Sequence, residues 1–257
     1  MQLWNYRRVH HDADDAQDST ADGVGQGSIP LPANASDRRA FDRFVNFTDA
    51  VVAIAITLMV LPLLDIAGPG PDETVWQILA KNAGPLFAFA IAFTIVARNW
   101  LVHNQIVNAM RAYDPAVFWL NIAWIASITL SPWVTAMYGS SDAFTEGGEG
   151  FGGTGMLFFA LLAAITGISV ILGWYINRHR GLLDPDDSET WIARHPAGQY
   201  RGVVLIIVFL VNGILTLFIP AFAAYLPIVL IPVGLAIAER LSRRQGSSRA
   251  DDEPGLR

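Results

Sequence analysis

The chain of 257 residues contains no cysteine, and Lys81 is the one lysine among its 17 basic residues. Without cysteine there is no disulfide, no thiolate metal site and no cysteine nucleophile, and the redox compartment goes unmarked. Charge is scarce as well: 16% of residues are Asp, Glu, Lys or Arg, against 53% hydrophobic, and the mean hydropathy is +0.37. A soluble domain ordinarily carries more charge and less apolar surface. No ionisable side chain falls in the middle of a long apolar run, which argues against pumps and ion-coupled transporters, because these hold charge near the bilayer midplane. No HExxH, GxSxG, Walker glycine loop or paired carboxylate lies within an apolar segment either. An enzyme is therefore not expected, nor a catalytic residue, a cofactor or a metal centre. His10, His11 and Asp12 have metal-ligating chemistry, but a solvated tail would hold them in no fixed geometry. The net charge of -6 comes largely from acidic tail and loop residues and points to no nucleic-acid partner.

What the chain does have is a series of apolar stretches, and the first organises the rest. From Val51 to Leu64 there is no charge, and the only residues that are not apolar are Thr57 and Pro62. With Phe44 to Ala50 this makes a helix of about 20 residues, enough to cross a ~30 Å hydrocarbon core. Gly68 to Pro71 then forces a turn. Further spans are expected from Trp76 to Ala97, continuing as a more polar helix to Arg111, then from Ala116 to Tyr138, Met156 to Ile176, Gly202 to Ile219, and from Pro220 to about Ala238. Asp114-Pro115 separates the second from the third, and Pro132 predicts a kink in the third. The fold class is all-α, with six transmembrane helices and no internal repeat. Residues 1–36 read as a disordered acidic tail without the apolar core of a signal peptide, residues 37–244 as the membrane domain, and residues 245–257 as a short polar tail.

Orientation follows from the arginines. With six spans, sixteen of the seventeen basic residues fall on the side of the termini and of the second-third and fourth-fifth connections, leaving only Lys81 opposite. Cytoplasmic loops carry such an excess, so both termini are expected in the cytoplasm.

On the first span, Ala50, Ile54, Thr57 and Leu61 fall within about 60° of one another at 100° per residue. One stripe thus presents two bulky aliphatics with a single hydroxyl between them. If copies of it converge on an axis, Ile54 and Leu61 form rings that stop ions by dewetting, and Thr57 forms a ring of hydroxyls. Spacing alone also allows this face to pack inside the subunit, with Thr57 bonding back to the carbonyl of Ala53. Asp49 lies about 120° away and points into neighbouring helices, where Trp100, His103 or a folded-back Arg43 is a candidate partner. The alternative is that Asp49 caps the helix N-terminus.

Arg43-x-x-x-Phe47-Thr48-Asp49, leading into Ala50-Val51-Val52-Ala53-Ile54-Ala55-Ile56-Thr57-Leu58, resembles the first-helix signature of the transmembrane protein 175 family of endosomal and lysosomal potassium channels and their bacterial homologues. That signature is Arg-x-x-x-Phe-Ser-Asp before an Ala-Ile-Ala-Ile-Thr-like run. Thr48 stands here for the usual Ser, and Ala50 where bacterial members often have Gly. The resemblance implies a homotetrameric channel passing potassium ions, with a pore lined by the first span and no P-loop filter. It makes Ile54 and Leu61 the pore constriction and Thr57 the selectivity hydroxyl. Arg43, Phe47, Thr48 and Asp49 become the family motif, with Trp100 and His103 as partners of its network. A multi-pass protein of a prokaryotic cell membrane is expected, its partners being potassium, the lipid bilayer and further copies of itself. A small-solute transporter or exporter, or a membrane scaffold, remains the alternative.

Overall fold

The computed structural model describes residues 35–110, 114–140, 151–183, 185–219, 226–234, 236, 237 and 240; side chains are described from residue 41 on, except 151 and 185–199. Those residues form an all-helical protein: α1 (Ala35–Leu58), α2 (Leu61–Leu64), α3 (Val75–Lys81), α4 (Ala83–Asn108), α5 (Pro115–Gly139), α6 (Phe151–Arg178) and α7 (Pro185–Phe218). Five segments among them are long and apolar enough to cross a membrane: 41–64, 83–108, 115–139, 152–178 and 200–218. Residues 226–234 of the expected sixth span are helical. The rest of that span, the expected acidic tail, most of the acidic loop after α5 and the C-terminal tail lie outside the described residues.

Proline and glycine account for where the helices depart from the spans expected above. The first span is broken after Leu58. Pro62 has no N–H to give the Leu58 carbonyl, and its ring crowds it, so the chain tightens into three-residue bonds, Val60 N to Thr57 O at 3.3 Å and Leu63 N to Val60 O at 2.9 Å. Leu61 and Pro62 therefore open the short helix α2.

The second span begins at Ala83, not at Trp76. Pro85 cannot donate to the carbonyl of Lys81, so the helix is interrupted at Asn82 (φ -107°, ψ 25°). Trp76 and Lys81 belong instead to α3, which opens with a capping box: the Thr74 hydroxyl accepts from the Gln77 amide, and the Gln77 side chain accepts from the Thr74 amide. Lys81 pairs with Glu73. That hydrogen bond, with a further one from the Gly70 amide, holds the Glu73 carboxyl below its ordinary value.

Pro132 lies inside a continuous α5. The carbonyl it leaves without an amide, that of Ile128, accepts instead from the Ser131 hydroxyl at 2.6 Å. The hydrophilic connection before the fifth span is largely helix, because α7 starts at Pro185 and runs through Pro196 to Phe218.

Helix α4 packs against α1, α5 and α6, α1 also packs on α5, and the most extensive pairing is α6 with α7. Glycine permits close approaches between the helices. A Cβ on Gly139 would lie 2.8 Å from the Cα of Pro85, and one on Gly155 2.8 Å from the methyl of Thr216. The core gathers Trp124, Tyr138, Phe158, Phe159 and Phe209, all essentially inaccessible. Tyr138 stacks on Phe158 with ring centroids 4.3 Å apart.

At the other end, Asp114 caps α5 by accepting from the Val117 amide at 2.8 Å, and its second oxygen accepts from the Tyr175 hydroxyl of α6 at 2.5 Å. That end of the bundle is thereby fixed.

Candidate functional site

Helix α1 is divided lengthwise. Thr48, Val52, Ala55 and Met59 are buried at steps of four, three and four residues, together with Phe41 one heptad before Thr48, and face α4 and α5. On the other side Arg43, Phe47, Ala50, Ile54, Thr57 and Leu61 are all exposed. Their steps of four, three, four, three and four give the 3.5-residue period of a seam between helices. Ile54 is 59% exposed and Leu61 51%. The stripe expected from spacing is thus free of its own subunit, and it extends two positions further back, to Arg43. Thr57 does not bond to Ala53: its hydroxyl donates to the carbonyl of Ile54 at 2.8 Å, leaving oxygen lone pairs for another partner. Leu61, set beyond the break, also lines a groove of about 720 Å³ with Asp65, Phe89, Trp133 and Met137.

The four motif residues divide between the two sides. Asp49 faces α4, where the indole Nε1 of Trp100 donates to its Oδ1 at 2.8 Å. It does not cap a helix end, because α1 begins far upstream at Ala35. Thr48 is 3% exposed; its hydroxyl donates to the Phe44 carbonyl at 3.0 Å and accepts from the Asn121 amide of α5 at 3.0 Å. Phe44 stacks on Phe118 of α5, centroids 5.3 Å apart. Arg43 lies within the helix and makes no ion pair with Asp49, since Lys81 with Glu73 is the one salt bridge among the described residues. Phe47, 56% exposed, shares its outward side.

His103, named with Trp100 as a partner, is 2% exposed but makes no hydrogen bond to Asp49 among the described residues. Its ring lies flat against Trp124, centroids 4.0 Å apart and 7° from parallel. Asn121 was not singled out from the sequence. Its signal was there, as a lone amide in the apolar run Phe118 to Ile125, because such a group turns toward the bundle interior to find a partner.

The family model described as "Endosomal/lysosomal potassium channel TMEM175" matches residues 43–132, the stretch that carries Asp49, Trp100, His103 and Asn121. Over that stretch the chain is similar to the TMEM175 family. The family is one of ion channels, not of enzymes. A Streptomyces collinus protein named as a potassium channel is 26% identical over 139 residues, 54% of this chain and 66% of that protein. A Chryseobacterium protein, also named as a potassium channel, is 26% identical over 48% of this chain and 61% of its own length. The mouse endosomal/lysosomal proton channel TMEM175 is 24% identical over 47% of this chain and 24% of its own length. The chain thus spans less than two thirds of these bacterial relatives and about a quarter of the mouse protein. No solved structure matches. Within the TMEM175 match, the Thr48-Asp49 pair joins α1 to both α4 and α5, so the motif sets how the first helix is held.

Proposed function

We propose that the protein is a potassium-permeable channel of a prokaryotic cell membrane, formed by four copies of the chain around a pore lined by α1. One observation carries this reading. The helix that bears the family motif is held from behind by Asp49 and Thr48, and it turns a heptad-spaced stripe of Ile54, Thr57 and Leu61 away from its own subunit. An apolar seam with one hydroxyl per copy suits a pore: Ile54 rings oppose wetting, and Thr57 rings replace part of an ion's hydration shell. Leu61 adds a further apolar layer. Two matched bacterial relatives are named as potassium channels, in keeping with this.

The vertebrate relatives' name favours one second reading, in which protons also pass. Proteoliposomes separate the possibilities. A passive, voltage-driven potassium leak supports the channel, coupled flux indicates a transporter, and no flux indicates a scaffold; a pH-sensitive dye in the same vesicles reports protons.

Thr57 supplies a sharper test. Thr57→Val keeps the shape and removes the hydroxyl, so potassium preference over sodium is expected to fall by roughly two- to tenfold, the range of about 0.5–1.5 kcal/mol for one hydrogen bond. Reversal potentials in mixed salts measure it. An unchanged ratio would remove Thr57 from the selectivity role.

A further inference from the structure

Helix α3 joins two segments able to cross the membrane, 41–64 and 83–108, and none of its residues is buried. Val75 is 60% exposed, Trp76 79% and Leu79 39%. At about 100° per residue these three fall within about 100° of one another, while Gln77 and Lys81 project from the opposite side of the helix. The short helix is therefore amphipathic. Its polar side is supplied with partners, since Lys81 pairs with Glu73, the Gly70 amide donates to the same carboxylate, and Gln77 completes the capping box with Thr74. Its apolar side is left open.

What covers that side follows from where the helix is held. One span ends at α2 and the next opens with α4, and only Asn82 interrupts the passage from α3 to α4, so α3 is kept at the bilayer surface where both spans end. The Asn82 side chain ties this junction by donating to the Ile78 carbonyl at 2.9 Å. Exposed tryptophans mark the same level. Four are exposed among the described residues: Trp76, Trp119, Trp133 and Trp174. Trp133 precedes the end of α5 at Gly139, which lies against Pro85 in the first turn of α4, and so belongs to the same face of the bilayer as Trp76. Trp119 and Trp174 stand at the other face, one near the start of α5 and one a turn before Arg178, whose guanidinium sits 4.4 Å over its ring. Indole rings gather at the two boundaries between lipid and water, because one edge is polar and the body is not.

We propose that α3 is an interfacial helix, lying along the membrane surface with Val75, Trp76 and Leu79 among the acyl chains just beneath the headgroups and with Glu73, Gln77 and Lys81 turned to water. Its partner is the lipid bilayer itself, continuous with the lipid around the spans, and no particular headgroup is required. The lysine stem reaches past the apolar boundary to keep its ammonium wet. Anchored in this way, α3 sets the depth at which α4 enters the membrane. This holds whatever the assembled protein conducts.

Nitroxide labels placed one at a time on the full-length protein in phosphatidylcholine liposomes test it, and no native cysteine competes for the label. Labels at Trp76→Cys and Leu79→Cys are expected to collide more with lipid-soluble oxygen than with a water-soluble nickel chelate. At Gln77→Cys, which keeps the backbone half of the capping box, the preference is expected to reverse. All three positions are exposed, so none of these changes opens a cavity in the core. Labels at 76 and 79 that prefer the nickel chelate would leave α3 in water and overturn the proposal. Labels there that are shielded from both reagents would overturn it as well, by placing a second copy of the chain on this face in place of lipid.

Discussion

Ile54→Ala is expected to raise passive potassium flux through reconstituted protein by about tenfold or more, equivalent to removing about 1.4 kcal/mol of barrier. The change removes three carbons from each copy, and in a ring of four it acts four times at one depth. A constriction that excludes ions by staying dry depends on its width and on its apolar lining. Ile54 projects from the unencumbered side of α1 and is 59% exposed in the subunit, so shortening it empties no cavity in the core. The folded state should therefore survive nearly intact, and altered flux would report on the pore rather than on stability. Vesicle flux with wild type and variant at matched protein density measures it. Equal flux would take Ile54 out of the constriction.

Trp100→Phe is expected to cost about 1.5–3 kcal/mol of stability, the range for a hydrogen bond to a charged group. The indole donates to Asp49 at 2.8 Å across the α1–α4 contact, and phenylalanine preserves most of the ring while removing the N–H. The half-buried carboxylate is then left without its donor. Because Asp49 is what turns α1 relative to α4, the same substitution should also reduce flux, and thermal unfolding alongside flux separates the two effects. Asp49→Asn in the Trp100→Phe background should recover part of the loss, since the amide tolerates burial without a donor better than the carboxylate does. A Trp100→Phe protein as stable and as active as wild type would show that this bond does not hold the pore helix.

Much of this was legible from residue types alone, and the exceptions have identifiable causes. Apolar run length located the spans, and the 100° turn per residue placed Asp49 on a different side of α1 from Ile54, where Trp100 meets it. Two breaks were missed, at Met59–Val60 and at Asn82. In both the proline stands one turn beyond the break it causes, so that Pro62 and Pro85 read as tolerable interruptions of a greasy run. A folded-back Arg43 ahead of the helix was one candidate partner for Asp49, but Arg43 is within the helix, because the residues from Ala35 to Asp42 carry little apolar signal yet continue the same helical turns. Asn121 was hidden for a different reason. Its role depends on Thr48, 73 positions away, and such pairing is set by how α1 and α5 pack and not by any local pattern. His103 shows the same limit from the other direction, since proximity to Trp100 in sequence suggested Asp49 as a partner whereas the ring stacks on Trp124.

The account rests on copies of α1 meeting one another, and the absence of native cysteine allows a direct test. In Ile54→Cys each chain carries one thiol, so any link formed by a short bis-maleimide in the membrane must join position 54 of two different subunits. Linked species on a denaturing gel are predicted for Ile54→Cys and none for Trp119→Cys, which is exposed on α5 instead. Ile54→Cys protein that reacts with the reagent yet runs only as monomer would place this residue against lipid and contradict a pore lined by α1.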